Sequence, residues 1–99
     1  MIPPAPLAAD AVRHDPAAGC FEAVVDGQRC VAQYRVYGRV MMLTHTGVPR
    51  ALRGRGIAAV LVRAALEHAR ERGLKVRPDC SYAEDYMRRH PETLDLLQD

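Results

Sequence analysis

Ninety-nine residues with 48% hydrophobic content can bury one modest core and leave no room for a second. A net charge of +2 is too slight to imply nucleic acid by itself, and three cysteines with no CxxC pair argue against both a disulfide framework and a zinc site, so no metal is expected. The first residues, MIPPAPLAAD, lack the basic flank of a signal peptide, and no segment approaches the about 20 apolar residues of a membrane span, so a cytoplasmic protein with reduced thiols is expected.

Residues 1–10, rich in Pro and Ala, suggest a flexible arm ahead of a single domain over 11–99. A short edge strand is expected over Ala11–His14 and a second strand over Phe21–Val25. Asp26-Gly27 is a strong hairpin signal, because both positions of that turn need positive φ. The next strand is predicted over Arg29–Tyr37, with Cys30, Ala32, Tyr34 and Val36 on its core face. Gly38 turns the chain into a strand over Arg39–Thr46, completing an antiparallel meander.

Gly47 and Pro49 interrupt that pattern, since proline cannot donate to a ladder. A helix follows, roughly Arg55 to Arg72, with Ile57, Val60, Leu61, Ala64, Ala65 and His68 on its apolar face and Gly73 at its carboxyl end. A short strand is predicted over Leu74–Pro78. Ser81 and Glu84 have capping-box spacing and would open a helix near Tyr82–His90, with Ser81 as its N-cap. Pro91 then stops or restarts it, and TLDLL forms a short turn. This order of elements implies an α+β fold.

The stretch Arg53-Gly54-Arg55-Gly56-Ile57-Ala58 carries the chemistry. Glycines let backbone N–H groups approach a ligand, and a helix start adds unpaired donors and the positive end of its dipole. Together they suit a phosphate, and two guanidiniums can add forked bonds. A bare RGRG is more often a plain loop with two solvated arginines. The interrupting proline and antiparallel strands set aside a Rossmann fingerprint, and GxxxxGK[ST] is absent.

Arg53–Ala58 fits the Q/R-x-x-G-x-G/A signature of the GCN5-related N-acetyltransferase superfamily. More narrowly, the order HT-x-VP, RGxGIA, GLKV-x-P-x-CSY and HP resembles a group of acetyltransferase-like proteins of about this size, over roughly residues 11 to 97. The resemblance implies a minimal α+β acetyltransferase fold: a largely antiparallel sheet with a splayed strand pair, one long helix after the pyrophosphate loop and a shorter C-terminal helix. It implies acetyl-coenzyme A as the acetyl donor, its pyrophosphate held by Arg53, Gly54, Arg55, Gly56, Ile57 and Ala58. Leu43–Val48, including Thr46 and Val48, would face the pantetheine arm, with Leu74–Pro78 as the opposite lip.

Acetyl transfer to an amine needs a base for the amine, polarisation of the thioester and a proton for the leaving thiolate, or else a cysteine that takes the acetyl group first. Cys80 lies beside the predicted N-cap, where a thiol pKa falls, although Asp79 would oppose this. The family places a cysteine here that is suspected of catalysis or of carrying acetyl; the alternative is a half-buried small hydrophobe. His45 matches the HT motif at a strand end and is either the base or a ring that orders the site. Cys80 and His45 would face one another across the thioester. Tyr82 and Tyr86 share a helix face, and a tyrosine in this helix often protonates the thiolate in the superfamily; packing is the other role for each. Many relatives carry an acidic residue where this chain has Gly47, so a carboxylate role would be missing. Cys20, Cys30, His14 and His68 look structural, and His90, of the HP pattern, has no evident role.

Three functions are consistent with these residues. The first is an acetyl-CoA-dependent N-acetyltransferase acting on an unidentified amine, directly or through Cys80. The second is a catalytically weak coenzyme A binding module. The third, a nucleic-acid binder using Arg50, Arg53, Arg55, Arg88 and Arg89, is disfavoured by 5% aromatic content. Either a monomer or a homodimer is compatible with exposed edge strands.

Overall fold

The computed structural model describes residues 7–98. Five strands form one sheet in the order β1-β2-β3-β4-β5: β1 (Arg13–Asp15), β2 (Cys20–Val25), β3 (Gln28–Tyr37), β4 (Val40–Gly47) and β5 (Lys75–Pro78). The first four make the expected antiparallel meander, and β5 returns parallel to β4 after a crossover through helix α1 (Ile57–Glu71). Helix α2 (Ser81–Arg89) and a 3-10 turn over Pro91–Leu96 complete the chain. The fold is thus α+β, as the sequence predicts. Among the described residues no helix is long and apolar enough to cross a membrane.

Turn chemistry sets the meander. Asp26 and Gly27 have φ of 51° and 74°, and Val25 pairs with Gln28 across them, the geometry of a two-residue hairpin whose twist matches the strands. The carboxyl end of α1 uses Gly73 at φ 68°: its N–H bonds the Arg70 carbonyl, while Leu74 N–H reaches back to Ala69. These bonds satisfy carbonyls that the last turn leaves without partners.

The core lies between one face of the sheet and α1. Helix α1 buries Ile57, Leu61, Val62, Ala65, Leu66 and Ala69. This corrects the predicted stripe: Val60, Ala64 and His68 are only half-buried at its flank. The helix is apolar around more than half its circumference, so spacing alone left the centre of the stripe open. Its four large aliphatics contribute roughly 1.5–3 kcal/mol each on burial. On β3, Cys30, Ala32 and Tyr34 join this core, but Val36 is 48% exposed because the helix does not extend over that end of the strand. His14 on the edge strand stacks on Phe21 at 4.1 Å, meets the edge of His68 at 4.4 Å and shares a hydrogen bond with the Tyr34 hydroxyl, so it ties β1 to α1. Leu7 also packs against the core; residues 1–6 of the expected arm lie outside the described residues.

Two irregularities distinguish the end of β4. Gln33 pairs with His45 but Tyr34 pairs with Leu43, so Thr44 is an extra residue in β4, a β-bulge. Before it, Met41 and Leu43 point into the core. After it, Thr46 sits opposite the core residue Ala32, and His45 and Gly47 sit opposite Gln33 and Val31 on the other face. Second, β4 pairs with β5 only from Val40 to Leu43. The N–H groups of Asp79 and Cys80 both bond the Leu43 carbonyl, at 2.9 and 3.1 Å, and the chain then turns into α2. The strand pair therefore splays after Leu43. The stretch Lys75–Pro78 is laddered to β4 rather than forming a lip, so the far side of the gap is the start of α2.

Candidate functional site

The splay opens a cleft of about 790 Å³. One wall is the unpartnered end of β4: His45, Thr46, Gly47 and Val48. A second wall is the loop and start of α1, contributing Leu52, Arg53, Gly54, Gly56, Ile57 and Ala58. Tyr82 from the first turn of α2 faces them, and Arg29 and Val31 of β3 close the remaining side.

The start of α1 has the geometry that suits an anion. Gly56 is its N-cap, at φ 77°, and Gly54 has φ 85°; both are left-handed conformations that glycine adopts at little cost. Gly56 brings no side chain, so no side-chain cap satisfies the first-turn N–H groups, and that turn contains no acidic residue. Its donors and the positive end of a fifteen-residue helix dipole are therefore left to the cleft. Arg53 Nε donates to the Val48 carbonyl at 3.2 Å, which fastens the loop to the end of β4; among the described residues its other guanidinium N–H groups have no partner. Arg55 departs from the expectation. Its Nη1 donates to Asp26 at 2.8 Å, on the hairpin side, and it does not line the cleft.

Of the three candidate catalytic side chains, two meet in the cleft. His45 is exposed there, and its Nε2 lies only 3.0 Å from where a Cβ on Gly47 would stand. Tyr82 is 38% exposed at the mouth, and its partial burial pushes the phenol up, so it holds its proton at neutral pH. Cys80 does not line the cleft. It is the N-cap of α2, its Sγ accepting from Ala83 N–H at 3.4 Å, so the cap is Cys80 and not Ser81, which is the first helical residue. Helix α2 begins one residue earlier than capping-box spacing implies: the N–H groups of Asp79 and Cys80 are taken by the Leu43 carbonyl, and Cys80 is held in extended backbone as the cap.

Tyr86 is buried in the core against His90, the rings stacked at 3.9 Å, and His90 Nδ1–H donates to the Tyr86 carbonyl at 2.8 Å. The HP histidine thus closes the carboxyl end of α2. Cys20 and Cys30 are 2% and 0% exposed. Among the described residues no group of three or more His, Cys, Asp or Glu could hold a metal ion. Arg55 pairs with Asp26, and Arg88 and Arg89 both pair with Asp85, so the five arginines weighed for nucleic acid do not form one unpaired basic surface.

The residues missed by sequence reasoning are Arg29, Val31, Pro49 and Leu52. Arg29 and Val31 lie on a strand read only for its core face, and the alternation that buries Cys30 and Ala32 necessarily turns Arg29 and Val31 the other way.

A family profile described as GCN5-related N-acetyl-transferase matches residues 20–96. Protein NATD1 of Mus musculus is 39% identical over 92 residues, covering 88% of this chain and 84% of that protein. The Homo sapiens NATD1 is 40% identical over 92 residues, covering 88% and 81%. The NMR solution structure of a Staphylococcus aureus protein described as GCN5-like superposes with a TM-score of 0.71 at 28% identity, covering 88% of this chain and 86% of that one. With the splayed pair and glycine loop in place, these similarities show that the chain belongs to the GCN5-related N-acetyltransferase family.

Proposed function

We propose that the protein transfers acetyl from acetyl-CoA directly to a primary amine. The observation that carries this is the convergence, in one cleft, of an uncapped helix start, an unpartnered strand end, a histidine and a protonated tyrosine. The N–H groups after Gly54 and Gly56, with Arg53, hold the pyrophosphate. The free strand edge at Thr46–Val48 pairs with the amides of pantetheine. His45 takes the proton from the amine as its nitrogen attacks the thioester carbon, and Tyr82 gives its proton to the departing thiolate. Cys80 serves as the helix cap rather than as an acyl carrier, since its sulfur is engaged by Ala83 N–H and Cys80 is not among the cleft-lining residues.

Titration calorimetry with acetyl-CoA and coenzyme A tests the cradle. Arg53→Ala should weaken both by roughly tenfold or more, the worth of a charge-assisted hydrogen bond. Intact mass after mixing with acetyl-CoA should show no acetyl on the protein; a gain of one acetyl group that disappears in Cys80→Ala would replace direct transfer by a cysteine carrier. A binding module without catalysis is the second reading, favoured by the absence of any carboxylate among the cleft-lining residues. Acetyl-CoA binding with no turnover of any amine would establish it.

A further inference from the structure

The charges of the cleft have one sign. Of its lining residues, Arg29 and Arg53 are cationic and none is Asp or Glu. The two guanidiniums belong to opposite ends of the reaction. Arg53 lies in the loop that leads into α1, which packs on the core face of the sheet. Arg29 lies on the opposite face. It alternates with the core residues Cys30 and Ala32 and shares its side with Val31, which is buried but outside the α1 core. Val31 pairs across the ladder with Gly47, and a Cβ on Gly47 would touch Val31 at 3.5 Å and His45 at 3.0 Å. Arg29, Val31, Gly47 and His45 therefore form one wall, on the side from which an amine would approach the base.

Arg29 is also oriented. Its Nε donates to Glu22, and its Nη2 lies 3.6 Å from the Cys20 sulfur. Both contacts lie on the neighbouring strand β2, and among the described residues both N–H groups on Nη1 have no partner. A guanidinium held by one carboxylate with a free edge presents donors to a second anion. Glu22, across the ladder from Val31, is the carboxylate of this face, and it is engaged by Arg29 and does not line the cleft, so a second cation on the acceptor meets guanidinium rather than a free carboxylate.

We propose that the acceptor is a primary amine that also carries an anionic group, such as a carboxylate, and that Arg29 receives that group. This rests on the acetyl-transfer reading and names its substrate class: amino acids or acidic peptides rather than polyamines or lysines in basic segments.

The test uses the full chain and three matched series: ω-amino acids of about three to six carbons, their amides, and the corresponding diamines, with coenzyme A release as the readout and acetyl-CoA affinity measured on the same preparation. Peptides beginning Ala-Asp and Ala-Asn form a further arm, which separates free amino acids from acidic polypeptides as the source. At the best length the acid should exceed its amide and diamine at least tenfold in kcat/KM, mainly through KM. Arg29→Gln should erase that preference while leaving acetyl-CoA affinity unchanged, and Arg29→Lys should keep part of it. Glu22→Gln, which removes the internal competitor, should preserve or increase it. Diamines or amides used as well as the acids, or turned over while no acid is, would overturn the proposal and leave the transfer reading standing; acetyl-CoA binding with no amine of any series turned over would overturn both in favour of a binding module. Weaker acetyl-CoA binding in Arg29→Gln would also overturn it, by making Arg29 part of the donor site. Protein that binds no acetyl-CoA would remove both.

Discussion

Gly47→Ala should make the protein more stable and less active. Gly47 is not among the residues with positive φ and lies in a strand, so alanine can adopt its backbone without strain. Replacing glycine at such a position stabilises by about 0.4–1 kcal/mol, chiefly by restricting the unfolded chain. For a domain of this size that corresponds to a rise in Tm of roughly 2–8 °C. The new Cβ would stand 3.0 Å from His45 Nε2 and 3.5 Å from Val31 Cγ2. The His45 ring is exposed and can swing away, so the contact costs little stability but displaces the base. A misplacement approaching 1 Å can cost on the order of 10²-fold, and loss of a general base costs about 10²–10⁴-fold, so a loss near tenfold is expected in kcat. Coenzyme A release with an accepted amine, measured beside thermal melts, reads both effects. The decisive control is His45→Ala, in which adding Gly47→Ala should slow the reaction no further. Unchanged activity in a stabilised Gly47→Ala, or an equal loss in the His45→Ala background, would refute the placement of His45 as the base.

Gly56→Ala should behave oppositely. At φ 77° with nothing within 4 Å of the added Cβ, its cost is backbone strain alone, about 1–2 kcal/mol, seen as a lower Tm together with weaker acetyl-CoA binding in calorimetry. Cys80→Ser should keep the cap and the melting temperature, while Cys80→Ala should lose about 1 kcal/mol. If the stable serine variant lost on the order of 10²-fold or more in turnover, the thiol would be chemical and direct transfer would be wrong. His14 is held below the usual histidine value, first by burial, then by His68 and Arg72, with Asp15 opposing. The folded state therefore binds this proton less readily than the unfolded chain. Stability is complete above about pH 6.5, falls as pH drops from there toward the folded pKa, and levels off below it. Thermal melts between about pH 7 and pH 5 should show this slope, and His14→Gln should flatten it.

Local rules carried the fold a long way. Asp26-Gly27 and Gly38 demand the turns they make, Gly73 ends α1 as its spacing implies, and alternation along β3 sets Cys30, Ala32 and Tyr34 inward. These signals act within a few residues, where backbone sterics and periodicity are decisive. The glycine turn at the start of α1 was legible for the same reason, although RGRG alone reads more often as a plain loop and only the wider order of motifs pointed to a phosphate. Longer-range geometry was not legible. The side chain of Arg55 is claimed by Asp26, twenty-nine residues earlier, and the cap of α2 is fixed by bonds from Asp79 and Cys80 to Leu43.

The sequence by itself determined the family, the order of elements and the glycine turn at the start of α1, since each is read from short runs of residues. The tertiary structure decided which side chains meet. One extra residue at Thr44 turns His45 and Gly47 off the core face that Met41 and Leu43 occupy. Strand periodicity repeats every two residues, so a single bulge reverses every side chain beyond it. No local pattern marks where that bulge falls. It is fixed by the pairing with β3, and it brings His45 and Gly47 onto one wall with Val31 and Arg29.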